Sequence, residues 1–169
     1  MNRDDTRDAL DQFLAGVERR AYRIARYSLG GSDEALDVVQ EAMFRLCERY
    51  AHRPSEQWKP LFYRILANAI TDHHRKAARK HARIGGAMPA SDPGSEEFEP
   101  SAMLEQSELG ARLEAEIGRL PEQQRQCFLL RCWEQLSVAE TARIMGISIG
   151  SVKTHYHRAL ARLGVLTGG

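Results

Sequence analysis

Residues 137–163 read SVAETARIMGISIGSVKTHYHRALARL. Ser137-Val-Ala-Glu140 has the spacing of a capping box, in which the serine hydroxyl accepts the Glu140 N–H while the glutamate carboxylate reaches back to the serine N–H. A short helix follows, with Ala142 small enough to let a second helix approach closely. Gly146 suits the left-handed residue of a tight helix–helix corner, Ile147 can plug that corner, and Ser148 caps a longer helix from Ile149. On that helix Val152, Tyr156, Ala159, Leu160 and Leu163 recur at helical spacing and are expected to face inward. The opposite side carries Gly150, Ser151, Lys153, Thr154, His157 and Arg158, the residue types that meet phosphates and base edges. An ordinary helical hairpin with a solvated basic face would gain from Glu, Lys and Gln at the helix start. A recognition helix instead needs a slim N-terminal end to enter the major groove. The pattern favours a DNA reader.

The chain has 169 residues and a formal net charge of +1. That total hides an uneven distribution. Residues 1–84 hold 16 Lys and Arg against 12 Asp and Glu, residues 85–108 none against 6, and residues 109–169 8 against 5. Two basic blocks around an acidic one suggest a polyanionic partner at each end. The N-terminus, MNRDDTRDALDQ, is too polar for a secretory signal, and no apolar run reaches membrane-spanning length, so a soluble intracellular protein is expected, with no membrane insertion. Cys47, Cys127 and Cys132 form no paired-ligand spacing and read as reduced thiols of the core.

Apolar residues recur at helical spacing through most of the chain, which predicts an all-α fold. Leu10, Phe13, Leu14, Val17, Ile24 and Ala25 mark the buried face of a first helix that ends near Gly30-Gly31. Ser32 offers the N-cap of a second, over roughly 33–50, expected to bury Leu36, Val39, Met43, Leu46, Cys47 and Tyr50. After a loop at 51–59, Pro60 fits the first turn of a third helix that stops at Gly85-Gly86. Residues 85–108, rich in Gly, Pro, Ser and acid, predict a flexible linker. The helical pattern resumes with Leu109, Leu113 and Ile117, and Pro121 opens a helix carrying Phe128, Leu129 and Trp133. The expected organisation is two small helical domains, 1–84 and 109–169, joined by an acidic linker at 85–108.

Enzyme chemistry finds little support. His74 and His81 share a helix face but stand about 10.5 Å apart along the axis, whereas ligands of one zinc each lie about 2 Å from it. His155 and His157 point about 200° apart on a helix. No phosphate-cradling glycine loop or nucleophile–base pair is present, so no catalytic residue, metal or cofactor is expected.

Residues 120–163, LPEQQRQCFLLRCWEQLSVAETARIMGISIGSVKTHYHRALARL, resemble the −35-reading domain of the extracytoplasmic-function sigma factors of bacterial RNA polymerase. Residues 34–50, EALDVVQEAMFRLCERY, and 61–80, LFYRILANAITDHHRKAARK, resemble the same family's other domain. The resemblance implies a sigma factor, in the bacterial cytoplasm, that binds core polymerase and directs promoter-specific initiation. Its partners would be the clamp of the largest subunit, the flap of the second-largest, promoter DNA, and an anti-sigma factor covering the DNA-facing surfaces.

The resemblance also distributes roles. Asp37, Gln40, Glu41, Phe44 and Glu48 would dock on the polymerase clamp, an acidic and amide stripe around one aromatic suiting a basic, partly apolar helix. His52, Trp58, Phe62, Tyr63 and Asn68 would receive unstacked bases of the −10 element, and Arg64, Arg75, Lys76, Arg79, Lys80 and Arg83 would contact phosphates. Trp58 alternatively fits a hydrophobic staple before Pro60. Ser148, Gly150, Ser151, Lys153, Thr154, His155, His157 and Arg158 would read the −35 element. The acidic linker would mimic transcript charge in the polymerase cleft. Three positions depart from the family pattern: Leu61 for Trp, Thr141 for Ile, and His155 for an Arg whose bidentate contact to guanine histidine cannot make. The rival expectation is a stand-alone helix-turn-helix regulator whose N-terminal half senses a signal or dimerises, which should bind paired half-sites without polymerase.

Overall fold

The computed structural model describes residues 2–84 and 107–164. They form seven α-helices in two compact units, Met1–Pro93 and Gly94–Gly169, with no strand among the described residues. The all-α expectation holds. The linker and charge-mimic expectations for residues 85–106 lie outside the described residues. Glu108 begins the following helix and Ser107 is its N-cap, its Oγ accepting the Gly110 N–H at 2.9 Å.

In the first unit α1 is Arg3–Leu29, α2 is Ser32–Tyr50 and α3 is Trp58–Ile84. Gly30, at φ 74°, ends α1 in the left-handed conformation that a side chain disfavours, and its N–H reaches the Arg26 carbonyl at 3.0 Å. Gly31, not Ser32, is the N-cap of α2, without a side-chain cap; Ser32 is already helical. A tight 3-10 turn over Ser55–Gln57 feeds α3, with Pro60 in the first turn where its missing N–H costs nothing.

The helix α2 packs against both α1 and α3. Its buried stripe is Ala35, Val38, Val39, Ala42 and Leu46. Leu36, Met43 and Cys47 were expected there, but Leu36 and Cys47 are exposed and Met43 is half-buried. The small Ala35 and Ala42 occupy the close-contact positions instead, and Leu36 lies a step of about 100° from Ala35. The core centres on an aromatic cluster. Phe13 lies 6.0 Å from Trp58 and 6.2 Å from Phe62, and Phe62 meets Tyr63 edge-on at 5.2 Å. Burial along α3 stops at Ile70. Residues 71–84, about 21 Å of helix at 1.5 Å per residue, run on with only His73 and His81 half-buried.

In the second unit α4 is Glu108–Arg119, α5 is Glu122–Phe128, α6 is Val138–Met145 and α7 is Ile149–Gly164. Pro121 precedes α5 as its N-cap. Arg125 is buried, and its Nη1 donates to the carbonyls of Gly118 and Leu120, at 3.2 and 3.3 Å, where α4 ends. The chain continues from α5 into a π turn, Leu129–Trp133. Leu109, expected inward, is exposed; Gly110, Glu114 and Ile117 are the buried face of α4.

The capping box forms as the spacing predicts: Ser137 Oγ accepts the Glu140 N–H at 3.0 Å and Glu140 Oε2 accepts the Ser137 N–H at 2.9 Å. Gly146 turns the corner at φ 67°. Behind it Cys127, Ala142 and Val152 form a small core, with Val138, Met145, Ile147 and Tyr156 packed against it. A Cβ at Gly146 would meet nothing within 4 Å. Gly146→Ala therefore meets only a backbone cost, about 1–2 kcal/mol, and should lower the melting temperature of this unit without altering its helix content. An unchanged melting temperature would show that the corner tolerates a Cβ.

Burial holds for one thiol of three. Cys127 is buried, which pushes its thiol up to about 11, while Cys47 and Cys132 are exposed. Partial burial and then the Asp11 carboxylate push the Cys47 thiol up as well. Both groups are held as thiols rather than thiolates at neutral pH.

Candidate nucleic-acid and polymerase interfaces

The second unit presents α7 as a slim, exposed edge. Ser148 Oγ accepts the Ser151 N–H at 3.1 Å and fixes the helix start, and Val152, Ala159 and Leu163 are its buried anchors. Gly150, Lys153, Thr154, His157 and Arg158 are exposed along the opposite arc, with exposed Ser148 at its head. Ser151 and His155 are half-buried. His155 Nδ1 is shielded from solvent with no hydrogen-bond partner in the structure, so this residue sits at the margin of the exposed arc rather than in its centre. Leu160, expected inward, is exposed, as is Ile149. An alternation of small, hydroxyl and basic side chains on a helix capped by Ser148 can enter a major groove and meet both phosphates and base edges.

In the first unit, Asp37, Gln40, Glu41, Phe44 and Glu48 are all exposed, within an arc of about 100° on α2. Phe44 is 66% exposed, an unusual state for phenylalanine, and Leu36, about two turns earlier on the same helix, is 45% exposed. Glu41 pairs with Arg45 at 2.5 Å. Sequence reasoning missed Leu36 by counting it as core; the signal was the Ala35, Ala42 and Leu46 stripe, which already fills the inward arc.

Along α3, Arg64, Asn68, Arg75 and Arg79 are exposed and fall within about 60° of one another on the side away from the core. Lys76, Lys80 and Arg83 are exposed on the part of the helix beyond the core, and His52 is exposed in the preceding loop. Only Asp72 interrupts this basic run, 4.0 Å from Arg75. The three aromatic residues are a correction. Trp58 is 2%, Phe62 0% and Tyr63 1% exposed, so each is core and presents no face on which a base could stack. The physical reason is their register: they precede Ile70 on the stripe that meets α1 and α2, and Trp58, the first residue of α3, packs on Phe13 of α1 across the core rather than as a staple within its own helix.

A helix-turn-helix unit and a three-helix unit with one acidic, aromatic face and one basic helix define a helical DNA-binding transcription protein. Comparison with known proteins narrows this. The Sigma-70 region 2 family matches residues 14–80 and the Sigma-70, region 4 family residues 110–163. The ECF RNA polymerase sigma factor BldN of Streptomyces coelicolor is 32% identical over 165 residues, covering 94% of this chain and 60% of BldN. The ECF RNA polymerase sigma factor SigM of Mycobacterium tuberculosis is 30% identical over 169 residues, covering 96% of this chain and 79% of SigM. The sigma factor RpoE of Bartonella quintana shares the fold, at TM-score 0.72 and 24% identity over 93% of this chain and 95% of that one. CnrH does so at TM-score 0.58 and 23% identity, over 95% and 88%. The chain belongs to the extracytoplasmic-function sigma factors, the subunits that give bacterial RNA polymerase its promoter specificity.

Among the described residues no helix is long and apolar enough to cross a membrane, and no group of three or more His, Cys, Asp or Glu side chains is placed to hold a metal ion.

Proposed function

We propose that this sigma factor contacts its promoter at two points and its polymerase through α2. The exposed face of Asp37, Gln40, Glu41, Phe44 and Glu48 docks on the clamp of the largest subunit. The α3 stripe of Arg64, Asn68, Arg75 and Arg79, continued by Lys76, Lys80 and Arg83, follows the −10 backbone, with Asn68 and His52 offering polar groups to displaced bases. The exposed arc of α7 reads the −35 element, and its unit meets the flap of the second-largest subunit. The observation that carries this is the solvent exposure of Phe44 inside an acidic stripe, on the same three-helix unit as the basic α3. An acidic stripe around an exposed aromatic suits a basic, partly apolar protein partner and repels DNA.

The protein works in the cytoplasm without catalytic chemistry of its own, because opening and recognition need only binding energy. An anti-sigma factor is its expected antagonist: RpoE was solved with the anti-sigma factor NepR, and CnrH with the cytosolic domain of CnrY.

Gel shift of candidate promoter DNA with and without core polymerase tests the assignment. Specific binding should appear only with core present; tight, specific binding by the chain alone would favour the stand-alone regulator. In the holoenzyme, Arg158→Ala should weaken −35-dependent promoter binding by about 10-fold, the worth of one base or phosphate contact, and leave core binding unchanged. Undiminished transcription from a −35-dependent promoter would remove α7 as the reader.

A further inference from the structure

One side chain ties the entry to α6 to the middle of α7. Arg131, in the π turn Leu129–Trp133, donates from Nη1 to the Leu136 carbonyl at 2.6 Å. Its guanidinium carbon lies 5.4 Å from the centroid of the Tyr156 ring, within cation–π range. Its Nε is shielded from solvent, and the residue as a whole is half-buried. The loop bridged by the Arg131–Leu136 bond contains Gln135 at φ 55°, a left-handed conformation that a non-glycine residue adopts only when its surroundings hold it. Tyr156 packs against the Cys127, Ala142 and Val152 core and stands between His155 and His157 on α7. The π turn itself is a local irregularity of the kind that recurs near functional sites.

We infer that Arg131 is a positioning residue for the recognition helix. Through the Leu136 carbonyl and the Tyr156 ring it sets the rotation of α7 against α6, and with it the discrimination of the −35 contact. This rests on the proposed −35 role of α7. A basic residue near a DNA reader has another obvious job, a phosphate contact. The two differ in salt dependence, because each phosphate contact adds about −0.9 to the slope of log affinity against log salt.

The test uses holoenzyme assembled from the full chain and the core polymerase of its host. The wild type first selects a −35 duplex from a randomised pool, and that duplex and its single mismatches are then the probes. Failure of the wild type to select any −35 sequence would count against the α7 assignment itself, and so is distinguishable from failure of the inference. Arg131→Met and Tyr156→Leu should each weaken matched binding about fivefold and lower the matched-to-mismatched ratio. The double variant should bind no worse than the weaker single. Tyr156→Phe keeps the ring and should stay within about twofold of wild type, and the salt slope should not change in any variant. A merely structural loss would lower matched and mismatched binding together. An unchanged ratio, multiplied losses in the double variant, or a salt slope reduced by about one in Arg131→Met would each overturn the inference. Should Arg131→Met fail to fold, the Tyr156→Leu and Tyr156→Phe pair decides: equal losses in both refute a role for the ring.

Discussion

Combining Asp37→Lys with Phe44→Ala should abolish co-elution with core RNA polymerase, with affinity reduced by at least about 100-fold, while both units keep their melting temperatures. The size follows from the two changes together. Truncating an aromatic anchor at the centre of an interface costs about 2 kcal/mol or more, and a like charge set against a basic partner adds a repulsive penalty. Stability is spared because Phe44 is exposed and Asp37 lies on the same solvent-facing arc. Competition binding against labelled wild type measures the loss directly, and circular dichroism checks the fold. Unchanged affinity would refute the α2 docking face. Leu36→Ser extends the measurement to the start of α2, since Leu36 is 45% exposed and lies outside the buried stripe.

Phe62→Ala should cost the first unit about 3–5 kcal/mol. A small domain has a total stability of about 5–15 kcal/mol, so partial unfolding near physiological temperature is the expected result. Trp58→Ala belongs to the same class, because both rings lie in the cluster with Phe13. Thermal melts measure the effect. Asn68→Ala, on the exposed side of α3, is the control and should stay within about 0.5 kcal/mol of wild type. The contrast separates two roles for these aromatics. A Phe62→Ala variant with normal stability but lost reactivity of −10 thymines to permanganate would return Phe62 to the DNA-opening surface. Normal strand opening by a stabilised holoenzyme carrying Phe62→Ala would instead leave the basic stripe, His52 and Asn68 as the opening surface.

Some of the architecture was legible residue by residue. The capping box Ser137–Glu140, the left-handed Gly146 and the Ser148 cap are local hydrogen-bond and backbone requirements, and the structure realises each within a single turn of chain. The exposed arc of α7 was legible for the same reason, apart from His155 and Ser151 at its margin. Errors came where two faces of one helix were both partly apolar. Leu36 and Leu160 carry large side chains at helical spacing, yet alanines at 35, 42 and 159 fill the tight contacts and leave the leucines at the border. The aromatic run Trp58, Phe62, Tyr63 erred in the other direction, since aromatic rings suit a base stack and a protein core equally well.

The sequence by itself determined the helical class, the turns and caps of the C-terminal helix pair, and the family, because these depend on periodicity, on local backbone chemistry and on motif order. Only the tertiary structure decided which aromatics are core, which apolar residues are left for a partner, and how Arg131 reaches Tyr156. Each of those depends on where one helix meets another, and the contact between residues 25 positions apart in the chain is invisible until the fold has brought them together.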